Sequence, residues 1–302
     1  PVHHLVGGSF YYQYADRFTF GAERDFNFDT DANSLQRIRR QDRIQAVFSR
    51  PFPSLEQTLT LMAGIALDDE KDVYNTVTRF PAYDETVAGV ALDWNTSQIW
   101  PISISQNDGQ NLLLVAESSR PFGSDYSGNA YRVDWHGYIP LGGESVLALH
   151  YLEGYVTSDA RPFNVGGALG PGTVTPAQGL VFNRRDFPFR GYPSGLAALT
   201  GQRLRQATIE ARVPLIHPER AWHGIGLHQM SLRAFVEAGA AWSGGGSPPR
   251  YYKSVGLETV FNFNVLYKFN YRLTIGVAHG FSSIGTNQVY LRLSAPLTQL
   301  GQ

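Results

Sequence analysis

The sequence predicts an all-β fold: a transmembrane, antiparallel, up-and-down β-barrel with one long extracellular loop. Three observations lead to this prediction. Apolar and polar residues alternate with period two along most of the 302 residues, as in β-strands. The second face of these strands carries carboxylates, arginines and glycines. Short and long connections alternate, as they do in barrels of the bacterial outer membrane.

The alternating stripes are long enough to cross a bilayer. Almost every second residue is apolar from Thr58 to Leu67, from Ala207 to Leu215 and from Val255 to Phe263. Stripes of about ten residues fit a tilted transmembrane strand better than the shorter strands of soluble sandwiches. Tyr and Trp recur near the strand ends, where an aromatic girdle is expected.

The charges on the second face decide between a soluble and a membrane protein. A soluble sandwich buries an apolar core, whereas a membrane barrel turns apolar side chains to lipid and polar ones to its lumen. Five charged residues share the predicted lumen-facing parity of their strands: Glu210, Arg212, Glu237, Glu258 and Arg272. The sequence therefore favours the membrane barrel.

About thirteen strands are visible, whereas bacterial single-chain barrels have an even strand number. We therefore expect residues 1–302 to be one outer-membrane β-barrel domain, and either the count is wrong by one or the chain lacks N-terminal strands. The predicted strands start near Gly8, Phe18, Arg43, Thr58, Val87, Gln110, Tyr131, Ser145, Arg205, Ser231, Ser254, Tyr271 and Val289.

The connections between these strands fall into two classes. Short turns are predicted at 15–16, 51–54, 140–144 and 268–270, and long loops at 27–41, 68–85, 120–129 and 157–204. Two connections fit the alternation less well, because 95–110 is long for a turn and 282–287 is short for an outer loop. The alternation places the 157–204 loop outside the cell and the C-terminus in the periplasm.

Composition excludes several classes of function. The net charge of −1 gives no electrostatic support for a nucleic-acid partner. The absence of cysteine excludes disulfides, thiolate catalysis and cysteine-ligated metals. The eight histidines show no metal-ligand spacing along the chain, and no glycine-rich phosphate loop with its lysine is present. We therefore predict neither a cofactor nor a metal.

The 157–204 loop contains an arginine among aromatic residues, in the segment from Asp186 to Pro193. A connection of this length within a compact domain is either functional or disordered. Arg190 carries a rigid set of donors suited to carboxylates. Gly191 allows a tight or left-handed backbone.

Phe189-Arg190-Gly191-Tyr192 resembles the V/I-R-G-F/Y loop motif of the BamA/TamA/two-partner-secretion transporter superfamily, the bacterial surface antigen type of barrel. Glu210-Ala211-Arg212 resembles the E-x-R element of that superfamily on the next strand. The segment from Phe235 to Gly239 resembles its F-x-D-x-G motif on the strand after that, with Glu237 in place of Asp. Phe189 likewise replaces a β-branched residue.

The resemblance implies that residues 1–302 are the larger part of a 16-stranded barrel that lacks its periplasmic domains. It also implies a role for each matching residue and for the protein. Phe189, Arg190, Gly191 and Tyr192 would form the loop motif inside the lumen, and its partners would be Glu210, Arg212, Phe235, Glu237 and Gly239. The implied work is to insert β-barrel proteins into the bacterial outer membrane or to pass polypeptides across it. The implied partners are outer-membrane lipid, β-barrel or secreted polypeptide clients and accessory periplasmic proteins. No bond is made or broken, so the resemblance implies no enzyme.

The residues themselves suggest how the loop is held. An arginine brought in on a loop can bridge carboxylates on neighbouring strands through charge-assisted hydrogen bonds. We therefore predict an Arg190–Glu237 contact that locks the loop in the lumen. The alternative is that these charges only line a wet channel.

Two other functions stay open at this point. One is a passive pore, or a barrel that anchors another domain. The other is a surface hydrolase, because Asp134 and His136 lie two residues apart on one lumen face. A catalytic triad is a geometry, which sequence order alone does not establish.

Overall fold

The computed structural model of the chain describes residues 2–12, 16–31, 34–75, 82–100, 103–168, 181–218, 220–266 and 269–294. Within these ranges it contains strands and two short 3-10 helices. The strands are β1 (Val2–Tyr12), β2 (Asp16–Asp31), β3 (Ser34–Pro53), β4 (Thr58–Asn75), β5 (Tyr83–Asn95), β6 (Gly109–Ser118), β7 (Asn129–Gly142), β8 (Ser145–Val156), β9 (Phe163–Val165), β10 (Asp186–Phe187), β11 (Thr200–Gly201), β12 (Arg203–Ile216), β13 (Arg220–Trp222), β14 (Ile225–Trp242), β15 (Tyr252–Val265), β16 (Phe269–Gly280) and β17 (Asn287–Ser294). The 3-10 helices are Arg120–Phe122 and Ala197–Leu199. Neither of these described helices is long and apolar enough to cross a membrane.

One antiparallel sheet contains most of the strands. Its hydrogen-bonded order is β1 to β8, then β12, then β14 to β17, with the short β13 paired to β14. Each strand in this order therefore pairs with the strands before and after it in the order. β12 pairs with β8 across the long connection. The prediction of an up-and-down barrel of about thirteen strands is confirmed. Within the described residues, β1 and β17 stand at the two ends of this order.

The polarity of the sheet is inverted relative to a soluble protein. Large apolar side chains such as Val90, Ile209 and Val289 are exposed on the outer face. Glu85, Glu117 and other charged side chains are buried on the inner face. This inversion is what a strand with lipid on one side and a polar lumen on the other requires. The predicted inward parity of Glu210, Glu237 and Glu258 is also confirmed, because all three are buried.

Two predicted long loops are wrong. Strands β2 and β3 extend through most of residues 27–41, and β4 extends through Asn75 into the predicted 68–85 loop. Runs of charged residues, such as 68–72, interrupt the apolar stripe in these extensions, which is why the sequence pattern indicated loops. Pairing continues because the ladder satisfies the backbone donors and acceptors. It also sets opposite charges in register, with Arg43 opposite Asp68.

The remaining connections agree with the sequence more closely. The turn predicted at 51–54 lies at 54–57, because β3 runs on to Pro53. The loops at 120–129 and 157–204 are present between β6 and β7 and between β8 and β12. The turns predicted at 15–16 and 268–270 fall partly outside the described residues.

The long connection has a small sheet of its own. In it β9 pairs in parallel with β10 and in antiparallel with β11. Its buried aromatic residues Phe163, Phe187, Phe189 and Tyr192 form one apolar cluster with wall residues such as Leu152. The connection is thus a folded unit packed on the inner face. We call residues 157–202 the lumen loop.

Candidate functional site

Arg190 of the lumen loop lies against three carboxylates on three adjacent strands. Its Nε and Nη2 donate to Glu237 Oε1 at 2.9 and 2.5 Å, and its Nη1 donates to Glu258 Oε1 at 2.8 Å. Nη1 also lies 3.4 Å from Glu210 Oε2. We call Arg190, Glu210, Glu237 and Glu258 the Arg190 anchor. The contact between Arg190 and Glu237 that the sequence predicted is therefore present.

Glu237 reaches Arg190 in spite of its longer side chain. While Oε1 binds the guanidinium, Oε2 accepts a hydrogen bond from the backbone N–H of Arg190 at 3.0 Å. One carboxylate thus fixes both the side chain and the backbone of the same loop residue. The extra methylene relative to Asp does not displace the contact.

Phe235 contributes a second interaction with the same guanidinium. The Cζ atom of Arg190 lies 3.3 Å from the centre of the Phe235 ring, which is a cation–π geometry. The ring needs the space beside Gly256, where an added Cβ would lie 2.3 Å from Phe235. Phe235 therefore positions Arg190 from one side while the carboxylates hold it from the other.

The two aromatic residues of the loop motif stack on each other. The rings of Phe189 and Tyr192 are nearly parallel, with centroids 4.8 Å apart. Phe189 lies over Gly239, where an added Cβ would meet its ring at 3.4 Å. The hydroxyl of Tyr192 donates to the carbonyl of Lys253 at 2.8 Å. Phe189 thus fills a site that Gly239 leaves open, and this explains an aromatic residue at that motif position.

The backbone at position 191 requires a glycine. Its φ of +85° lies in the left-handed region, and an added Cβ would lie 2.8 Å from the backbone nitrogen of Gly280. The N–H of Gly191 donates to Gln288 Oε1 at 2.9 Å, and its carbonyl accepts from the N–H of Thr286 at 2.9 Å. The motif therefore also binds the last two strands and their connection.

Arg212 balances part of the negative charge. Its Nε donates to Glu210 Oε1 at 2.7 Å, and the hydroxyl of Tyr290 donates to Glu258 Oε1 at 2.6 Å. Burial lowers the pKa of the Arg190 guanidinium, but the charges of Glu237, Glu258 and Glu210 outweigh burial and raise it above its usual range. Arg190 therefore stays protonated. All the partners that the sequence predicted for the loop motif lie in one cluster around it.

A second cluster, which the sequence did not predict, holds the opposite side of the lumen loop. Arg161 Nε donates to Glu85 Oε2 at 2.8 Å, and Nη2 donates to Asp68 Oδ2 at 3.1 Å. Its Nη1 donates to the Tyr83 hydroxyl at 2.8 Å, and Nη2 also donates to Asn183 Oδ1 at 2.9 Å. We call Arg161, Asp68, Tyr83, Glu85 and Asn183 the Arg161 anchor.

Neighbouring loop residues extend this second contact to β6 and β7. The N–H of Asn183 donates to Glu117 Oε2 at 2.7 Å, and Arg185 pairs with the other oxygen of Glu117. From β7, Arg132 Nη2 donates to the carbonyl of Val181 at 3.0 Å. No local motif marks these residues, because their partners come from strands distant in sequence. The only sequence signal was the inward parity of the carboxylates.

Phe182 adds an apolar contact to the Arg161 side. It is fully buried among residues of β3 to β6. An added Cβ at Gly64 or at Gly89 would lie 2.8 or 2.7 Å from its ring. These inward glycines thus leave space for the ring, as Gly239 does for Phe189.

Asp134 and His136 lie on the inner face of β7, as predicted. The two residues contact each other, and both also contact His150 of β8. Asp134 Oδ1 lies 3.1 Å from His136 Nε2 and 2.9 Å from His150 Nε2.

Comparison of the sequence with protein-family models and with curated proteins finds no match. Comparison with solved structures finds similarity to the crystal structure of BamA from Haemophilus ducreyi lacking POTRA domains 1–3. The TM-score is 0.58 at 14% sequence identity, and the match covers 97% of this chain and 61% of that chain. The chain thus spans about three fifths of the BamA structure it matches. At this identity the likeness concerns the fold, and the chain has the fold of a BamA-type β-barrel.

Proposed function

We propose that this chain is the barrel of a bacterial outer-membrane machine that inserts β-barrel proteins or passes polypeptides across the membrane. The observation that carries the proposal is the Arg190 anchor. A loop arginine is bound by carboxylates on three adjacent strands, in a fold of the BamA type. A passive pore does not require such a loop.

The anchored loop would act as a gate inside the barrel. Arg190 ties it to β12, β14 and β15, and Arg161 ties it to β4 and β5. A loop fixed to both sides of the lumen blocks free diffusion and stiffens the wall. In this proposal these residues bind and position the lumen loop, and they make or break no covalent bond.

The last strand would supply the surface for clients. β17 stands at one end of the strand order within the described residues, and its outward side chains include Val289, Leu291 and Leu293. A strand with an unpaired edge is a template for adding another strand. Clients would therefore be unfolded β-barrel or secreted polypeptides, with outer-membrane lipid and accessory periplasmic proteins as further partners.

Reconstitution of the natural full-length protein in lipid vesicles tests this function. The measurement is the rate at which an unfolded outer-membrane β-barrel folds into the vesicles. We expect the wild type to accelerate folding and Arg190→Ala to lose most of the acceleration. Arg220→Ala, which removes an exposed arginine of β13, should behave as wild type. A protein that folds correctly but gives no acceleration over empty vesicles contradicts the proposal.

Single-channel conductance separates the proposed function from the passive pore. A barrel with an anchored loop should show a low, flickering conductance that rises in Arg190→Ala. A wide and steady conductance in the wild type would favour the pore. Hydrolysis of lipid or peptide by the reconstituted wild type would instead favour a surface enzyme.

A further inference from the structure

A cluster of two histidines and one aspartate lies on the inner face of β7 and β8, apart from both anchors. The strand register sets His136 directly opposite His150. Asp134 lies two residues before His136 and therefore shares its face. Antiparallel pairing thus brings together three side chains that are up to 16 residues apart in the sequence.

Both imidazoles lie within hydrogen-bond distance of the same carboxylate oxygen. Asp134 Oδ1 lies 2.9 Å from Nε2 of His150 and 3.1 Å from Nε2 of His136. The two imidazole rings are nearly parallel, with centroids 4.3 Å apart. One ligand atom from each of the three residues lies within 4.8 Å of the others. Both rings therefore direct the same nitrogen towards one carboxylate oxygen.

This donor set matches the preferences of a borderline divalent cation. Zn²⁺ binds imidazole nitrogen and carboxylate oxygen at about 2.0–2.2 Å. Three protein ligands with a fourth position left to water are typical of an open zinc site. The imidazole side chains are 38% and 27% exposed, so water can reach that fourth position. Asp134 is nearly buried, which favours a fixed carboxylate.

Three arginines are close enough to influence the cluster electrostatically, and the guanidinium of Arg184 lies over the ring of Phe187, 4.9 Å from its centre. Arg132, two residues before Asp134, donates to the carbonyl of Val181 in the lumen loop. Arg212 donates to Glu210. Their positive charges are therefore partly compensated, which reduces their repulsion of a cation on the neighbouring wall.

We propose that Asp134, His136 and His150 form a site for a divalent cation of the Zn²⁺ type that links β7 to β8 on the lumen wall. The ligands are Asp134 Oδ1 and the Nε2 atoms of the two histidines. The site is independent of the proposed transport function and requires only the barrel wall.

Metal titration of the full chain, folded in detergent micelles, tests the site. Zn²⁺ is titrated by calorimetry, and Co²⁺ provides a visible spectrum that reports its coordination. We expect one strong Zn²⁺ site and a Co²⁺ spectrum of low coordination number. Loss of a residue that only hydrogen-bonds to a metal ligand weakens metal binding about 10–100-fold. His136→Ala, His150→Ala or Asp134→Asn should therefore each weaken it by at least about 100-fold.

Two controls separate this site from adventitious binding. His279→Ala removes a histidine that contacts Asn287 at the far end of β16, and it should leave Zn²⁺ affinity unchanged. His3→Ala/His4→Ala removes the adjacent histidines near the start of the sequence, and the strong site should remain. The proposal is overturned if binding follows His3 and His4, or if His136→Ala/His150→Ala binds Zn²⁺ as tightly as wild type while still folded.

Discussion

The two anchors hold the lumen loop to the barrel wall in the same way, but only one of them is marked by motifs in the sequence. In each, a buried loop arginine is bound by carboxylates from neighbouring strands. The Arg190 anchor takes its partners from β12, β14 and β15, and the Arg161 anchor takes them from β4 and β5. Only the first lies in recognisable motifs. The second joins Arg161 to Asp68 over 93 residues of sequence.

The difference between the two anchors shows which kind of contact leaves a motif in the sequence and which kind does not. Around Arg190 the backbone itself takes part, because Glu237 binds the Arg190 N–H and Gly191 has a left-handed φ. Such geometry restricts residue types at adjacent positions and leaves a motif. Around Arg161 the contacts are made mainly by side chains, so charges of the right sign on the inward face are sufficient.

Removing Arg190 should have the largest effect. Arg190→Ala leaves three buried carboxylates without their shared cation, and loss of one member of a buried ion pair costs about 3–5 kcal/mol. We expect the free energy of unfolding in urea, followed by tryptophan fluorescence, to fall by about 4 kcal/mol. Proteolysis mapped by mass spectrometry should show new cleavage at 186–193. Arg220→Ala, which removes an exposed arginine of β13, is the matched control, and wild-type cleavage in Arg190→Ala would contradict the anchor.

Removing Arg161 should have a smaller effect, confined to the other side of the loop. Asp68 keeps the amide of Gln41 at 2.9 Å and the guanidinium of Arg43 at 3.5 Å, so Glu85 alone among the buried carboxylates loses its cation, whereas Arg190→Ala affects three carboxylates. We expect Arg161→Ala to cost about 3 kcal/mol and to expose the 181–185 segment to protease. Equal cleavage at 181–185 and at 186–193 would show that the two anchors are one cooperative unit, contrary to this expectation.

A pair of glycine substitutions isolates the backbone part of the Arg190 side. Gly191 and Gly195 both have positive φ, but an added Cβ meets Gly280 only at Gly191, and nothing lies within 4 Å of it at Gly195. We expect Gly195→Ala to cost about 1 kcal/mol through backbone strain, and Gly191→Ala to cost about 2–3 kcal/mol. Thermal unfolding of both variants measures the difference. Equal shifts would mean that close approach to Gly280 is unimportant.

The smallest effect should come from Tyr192→Phe. The substitution removes one hydrogen bond to the Lys253 carbonyl and keeps the stacking on Phe189. A single hydrogen bond contributes about 0.5–1.5 kcal/mol. We expect a loss of about 1 kcal/mol in urea unfolding and an unchanged protease pattern. A loss as large as that of Arg190→Ala would show that the aromatic contact, and not the ion pairs, holds the loop.

The outer loops show the limit of the alternating pattern. It located the thirteen strand positions because a face that meets lipid must be apolar at every second residue. It failed where β2, β3 and β4 extend into segments predicted as loops. Runs of charged residues, such as 68–72, interrupt the alternation there, although the backbone pairing continues.

The histidine cluster shows a second limit. His136 and His150 have no metal-ligand spacing in the sequence, and only the register of β7 and β8 sets them opposite each other. A register shift of one residue would turn one of them to the outer face. Sequence reasoning found Asp134 and His136 on one face, but it had no means of adding His150.

The sequence by itself determined the class of fold, the inward face of most strands and the pairing of the Arg190 motif with Glu237. It could do so because alternation is a local property and because the backbone geometry at Gly191 restricts its neighbours. The tertiary structure decided which carboxylates share each arginine, how the loop meets the opposite wall at Arg161, and which histidines meet. Those contacts depend on strand register and on the path of the loop, which are set by long-range pairing of residues far apart in the chain.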